Sequence, residues 1–162
     1  MQIVNRTFDE LHAGDTVSVE RTLQPSDLRA WKAAFGDAEA AAVDVGEAAV
    51  GIVAAEFSAL AGSALPGPGS SVRSMSVRPR RVLPLGEPVT FRLTVHETQP
   101  AARMVVLEGN CLDASGQAVA TATLEVAAPA ERIVRDLPEH RLEGLMERCR
   151  GLEPVMTGVV HP

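Results

Sequence analysis

Few side chains in this sequence suit proton transfer or nucleophilic attack, and they are scattered. The four histidines, His12, His96, His140 and His161, lie in separate segments. The two cysteines, Cys111 and Cys149, show neither a CxxC spacing nor a Cys/His ligand pattern, so no zinc site or disulfide framework is expected. Carboxylates are the better candidates. Asp37 follows Gly36 directly, where it fits a general base and equally an ordinary turn residue, and Glu39 stands two places on, either as a helper or as a solvated surface group. Glu56 sits among alanines in an apolar stretch. Burial there would raise a carboxyl's pKa and suit it to acid–base work, although a solvent channel or a subunit contact accounts for it as simply. Arg78, Arg80 and Arg81 form a basic run whose guanidinium groups match phosphate geometry. A solvated strand edge carries such arginines just as often.

The rest of the chain must position these groups. With 162 residues and 46 % apolar content it is long enough for one compact domain and a tail. A net charge of −6 excludes a surface built to neutralise nucleic-acid or membrane phosphates. Met1 to Arg6 has no basic patch leading into an apolar run, so a cytoplasmic protein is expected. Residues 48–65 have the length of a membrane span, but they are mostly alanine and glycine with Glu56 at the centre, which predicts a buried helix instead.

Val17 and Val19 alternate with polar neighbours in a strand over Thr16–Leu23, and Ser26 can cap a short helix carrying Leu28, Trp31 and Phe35, stopped by Gly36. Leu65-Pro66-Gly67-Pro68-Gly69 ends the long apolar helix. Extended runs follow at Val72–Val82, Val89–Val95, Met104–Leu112 and Ala118–Val126. Turn chemistry at Leu85–Pro88 and at Asp113–Gly116 predicts that consecutive strands are antiparallel neighbours. An all-round apolar helix followed by an antiparallel sheet is satisfied when the sheet curls around the helix. Past Pro129 the pattern changes to charged residues, then to Leu142, Leu145, Met146 and Cys149 at helical spacing, which divides the chain into a domain at 1–128 and a linker with a further helix at 129–162.

Several segments, in order, resemble the MaoC-like (R)-specific enoyl-CoA hydratases: Phe8 to Asp15, Arg21-Thr22-Leu23 with Asp27, Phe35-Gly36-Asp37, Leu65 to Gly69, and Arg80-Arg81 preceding Gly86-Glu87. The resemblance covers residues 8 to about 127 and implies the hot-dog fold, an α+β architecture in which an antiparallel sheet wraps a central helix. It further implies an acyl-CoA or enoyl-CoA substrate, no cofactor beyond the coenzyme A of that substrate, and a homodimer. In the family an aspartate and a histidine hold the water that adds to C3, and backbone N–H groups at the start of the central helix steady the enolate oxygen.

The sequence departs from the family at that point. The signature Gly-Asp-x-Asn-Pro-x-His-x-Asp corresponds to Gly36-Asp37-Ala38-Glu39-Ala40-Ala41-Ala42-Val43-Asp44, so Asp37 remains and Ala42 stands where histidine belongs. The family's His-Gly pair becomes Ala49-Val50, or Val50-Gly51 when slid by one residue, which makes Gly51 the nominal oxyanion donor. Substrate phosphates fall to Arg78, Arg80 and Arg81. Weak or absent hydratase activity is therefore expected, with Glu39 or Glu56 as possible substitutes. One alternative is an inert dimerisation or docking domain. Residues 141–162 resemble the junction into a phosphate acetyl- or butyryltransferase domain, the partner such a domain would serve. A further alternative is a hot-dog thioesterase using Glu56.

Overall fold

Alternation of apolar and polar residues organises the sheet. A computed structural model describes residues 2–34 and 45–136, with the backbone alone at 32–34 and 45–49. Along β4 (Pro88–Gln99) the side chains of Val89, Phe91, Leu93 and Val95 are buried on one face. β5 (Met104–Leu112) contributes Val105, Leu107 and Cys111 to the same face, and β6 (Ala118–Ala127) contributes Ala122, Leu124 and Val126. With β2 (Thr16–Thr22) and β3 (Ser71–Pro79) these strands form a five-stranded antiparallel sheet in the order β2-β4-β5-β6-β3.

The Asp113–Gly116 turn closes the β5–β6 hairpin as its residues indicate. The Asp113 carboxylate accepts hydrogen bonds from the Ser115 N–H, the Ser115 hydroxyl and the Gln117 N–H, and Gly116 takes φ +80°, which favours glycine. The turn near Gly86 behaves differently. It does not join neighbours, because β3 lies at the sheet edge beyond β6 whereas β4 pairs with β2 and β5. The reason is the preceding helix. Two helices, α1 (Pro25–Ala34) and α2 (Val45–Ser63), separate β2 from β3, and α2 carries the chain across the sheet so that β3 enters at the opposite edge. Ser26 is not the cap of α1 but its second residue. Pro25 occupies the first helical position, and the Asp27 carboxylate accepts the Gln24 N–H at 2.8 Å.

α2 lies on the apolar face of the sheet through Ile52, Val53, Phe57, Leu60 and Ala61. Phe57 is fully buried and meets Phe91 edge-on, with ring centroids 5.5 Å apart. Its ring occupies a hollow left by two small residues: a Cβ on Gly109 would stand 2.9 Å from the Phe57 ring and 3.1 Å from the Ala122 Cβ. A glycine within a strand marks this close approach. The sheet covers only one side of the helix, and Ala55, Ser58 and Ala59 face outward. Among the described residues no helix is long and apolar enough to cross a membrane.

Two short strands escape the sequence reading. β1 (Gln2–Val4) pairs antiparallel with β7 (Val134–Asp136), so the stretch expected as a linker runs back along the N-terminus as far as Asp136. Asn5, only 2 % exposed, joins the two: its side-chain amide donates to the Glu131 carbonyl and accepts from the Ile133 N–H, both at 2.7 Å. The Pro-Gly segment after α2 is their platform. Arg6 N–H donates to the Pro66 carbonyl at 2.7 Å, and a Cβ on Gly67, at φ +97°, would stand 3.1 Å from the Asn5 Cα. The expected helix around Leu142 to Cys149 and the apolar run at Val155 to Val160 lie outside the described residues.

Candidate functional site

α1 and the start of α2 frame the segment that carries the signature residues. They meet where the Trp31 indole lies on Gly51: a Cβ there would be 2.9 Å from the ring, so a larger residue would push the two helices apart. Asp37, Glu39 and Ala42, between the end of α1 and the start of α2, lie outside the described residues. Gly51 is within α2, beyond its first turn. Only the first four N–H groups of a helix lack an intrahelical acceptor, so in α2 the unpaired donors belong to residues 45–48.

Glu56 faces β2 and not the start of α2. Val17, Val19 and Arg21 share the inward face of β2, and Arg21 reaches across from that face to set its Nε 3.3 Å from a Glu56 carboxylate oxygen. The carboxylate is partly exposed and paired, which explains a charged residue in a helix this apolar.

The three arginines do not converge. Arg81 borders a small cleft beside α2, lined by Val50, Val53, Val77, Leu83 and Val119, and its guanidinium lies 3.8 Å from Asp113. The cleft measures about 10 Å³, room for no more than one water. Arg78 and Arg80 point to the opposite face of the sheet, where they wall a polar groove of about 280 Å³. Residue parity in β3 separates them, since Val77 and Pro79 border the cleft while Ser76, Arg78 and Arg80 line the groove.

Cys111 is buried on the inner face of β5, and desolvation, followed by the nearby Asp113 charge, pushes its thiol up to about 12. A neutral buried thiol is a weak nucleophile. Iodoacetamide at about pH 8 is therefore expected to leave Cys111 unmodified in the native protein and to alkylate it after unfolding, as read by peptide mass mapping. Native alkylation on the timescale of a free cysteine would contradict this burial.

The fold recurs in solved structures. The R-hydratase PhaJ1 from Pseudomonas aeruginosa, in its unliganded form, matches with a TM-score of 0.76 and 26 % identity over 86 % of this chain and 96 % of that one. The (R)-hydratase from A. caviae involved in PHA biosynthesis matches with a TM-score of 0.65 and 22 % identity, over 74 % of this chain and 98 % of that one. The chain has the hot-dog fold. A MaoC-like dehydratase from Rhodospirillum rubrum shares the hot-dog architecture at a TM-score of 0.56 and 15 % identity, over 81 % of this chain and 99 % of that one. No family model matches the chain, and no curated protein matches it. In this hot-dog domain the arginines of β3 and its following turn are shared between two sheet faces, and the central-helix carboxylate belongs to an ion pair.

Proposed function

We propose that this domain binds acyl-CoA thioesters on the scaffold of an enoyl-CoA hydratase, with hydration of trans-2-enoyl-CoA weak or lost. The likeness to the Pseudomonas R-hydratase along 86 % of the chain supports the scaffold, and Ala42 in the signature's histidine position supports the loss. Hydration needs a base that takes a proton from water as its oxygen attacks C3, and an acid that delivers a proton to C2. Asp37 can fill one role. Without the imidazole, one member of a pair whose acid–base groups typically contribute roughly 10² to 10⁴-fold is missing. Glu39 is the remaining candidate substitute, because Glu56 is engaged by Arg21. Enolate stabilisation falls to the unpaired N–H groups at the start of α2, residues 45–48, and not to Gly51, the donor named by the shifted register, whose N–H lies beyond them. Arg81, on the α2 side of the sheet, is the arginine best placed for a substrate phosphate. No metal or separate cofactor is required.

A homodimer fits this reading, since the edges of β2 and β3, unpaired among the described residues, and the outward face of α2 offer surfaces for isologous pairing. The tightness of the cleft beside α2, about 10 Å³, favours a second reading, in which the domain is an inert module that dimerises or docks a phosphate acyltransferase domain.

Crotonyl-CoA hydration, followed at the enoyl-thioester absorbance band, separates the two readings when acyl-CoA binding is titrated alongside. Saturable binding with turnover near background, abolished by Asp37→Asn, is the expected result. No binding and no turnover would leave the docking module, and turnover at the rate of an intact hydratase would overturn the loss of activity.

A further inference from the structure

The outer face of the sheet carries its own constellation, on the side opposite α2. Cross-strand register sets Ser18, Arg92, Asn110, Thr121 and Arg78 in one row and Thr16, Thr94, Glu108, Thr123 and Ser76 in the next. Where these rows meet the β3 edge they form the groove of about 280 Å³. Arg78 and Arg80 make one wall with Ser76 beside them, Glu108 and Asn110 on β5 make the other, and the hydroxyls of Thr121 and Thr123 on β6 lie between.

Two features of this groove bear on what it can hold. The side chains of Arg78 and Arg80 form no ion pair or hydrogen bond among the described residues, which holds also for Arg29, Arg73, Arg92 and Arg135, but these two stand side by side on one wall of a groove. The groove's one carboxylate is drawn the other way, since Glu108 lies 3.3 Å from His96 on β4. Two planar guanidinium forks beside hydroxyl and amide donors match the oxygens of a phosphate group. A carboxylate and an amide on the facing wall can in turn accept from and donate to sugar hydroxyls. The volume lies near the small end of ligand sites, so it suits a compact ligand.

We propose that this outer groove binds a small hydroxylated phosphate monoester of the sugar-phosphate class, independently of the thioester site. The phosphate sits between Arg78 and Arg80, and the sugar hydroxyls meet Glu108 and Asn110.

Ribose 5-phosphate, inorganic phosphate and ribose, each titrated into the whole protein by calorimetry and by amide chemical shifts, test it. Ribose 5-phosphate is expected to bind saturably and more tightly than inorganic phosphate, with shifts centred on Ser76, Asn110 and Thr121. The double variant Arg78→Ala/Arg80→Ala is expected to weaken it about tenfold or more, as for the loss of charge-assisted hydrogen bonds. Arg92→Ala, in the same row but outside the groove, is expected to leave it intact. Glu108→Gln is expected to narrow the preference for the sugar phosphate over inorganic phosphate. Absence of saturable binding, equal affinity for the two phosphates, or insensitivity to the double variant would overturn the proposal. So would loss of crotonyl-CoA binding in that same double variant, because the groove would then belong to the thioester site.

Discussion

Phe57→Ala is expected to remove about 4 kcal/mol of stability, a large fraction of what a domain of this size has to lose. The side chain is fully buried on α2 and its ring fills the hollow above Gly109 and Ala122 while meeting Phe91 edge-on at 5.5 Å. Truncation loses the transfer free energy of the ring and leaves a cavity that a hydrogen-bonded sheet cannot collapse to fill. The edge-on pair adds about 1 kcal/mol beyond buried area. Urea denaturation reads the effect as a shift in midpoint at an unchanged slope. A loss under about 1 kcal/mol would mean that the ring does not anchor the helix to the sheet. The partner substitution gives an independent check. Gly109→Ala places a methyl 2.9 Å from the ring and is destabilising alone, but it should be less so in a Phe57→Leu background, where the smaller side chain leaves room.

Asn5→Ala is expected to cost about 2–4 kcal/mol, chiefly by loosening the segment at 131–133 and β7 from the N-terminal strand. It deletes two side-chain hydrogen bonds of 2.7 Å and leaves the Glu131 carbonyl and the Ile133 N–H without those partners in a half-buried seam. The neighbouring contacts cannot compensate. Arg132 with Glu10, and Arg103 with Asp9 at 3.5 Å, are exposed ion pairs, which contribute about 0–1 kcal/mol each. Gly67 and Gly69 admit close approach of this segment but supply no side chain to hold it. Hydrogen exchange is the informative measurement, because amides of β1 and β7 should lose protection while those of β4 and β5 keep theirs. Uniform loss of protection across the sheet would show that the seam and the core unfold as one unit.

Glu56 owes its place in the fold to an ion pair. A lone carboxylate among alanines invites a catalytic reading, because desolvation is the commonest route to a functional pKa. Arg21 changes that reading. A partner 3.3 Å away provides a structural reason for the charge, which moves the search for a substitute acid or base back to the segment after α1.

Local chemistry determined a large part of this protein before any tertiary contact. Extended runs at Val89–Val95, Met104–Leu112 and Ala118–Val126 marked out β4, β5 and β6, and in the first of them Val89, Phe91, Leu93 and Val95 alternate with polar residues because one-sided burial of an antiparallel sheet leaves that mark. Asp113 and Gly116 specified a hairpin by themselves, since the turn's hydrogen bonds close within five residues. The sequence grouped Arg78, Arg80 and Arg81 as one basic run, and their division between the two faces of the sheet came from the structure. Tertiary structure alone decided that β3 pairs with β6, that Arg21 answers Glu56, and that Asn5 ties residues 129–136 to the N-terminus. Those contacts join residues 35 to 128 positions apart in the chain. No short-range pattern encodes them, because their partners are chosen by where the helices carry the chain and by which buried polar groups would otherwise go unpaired.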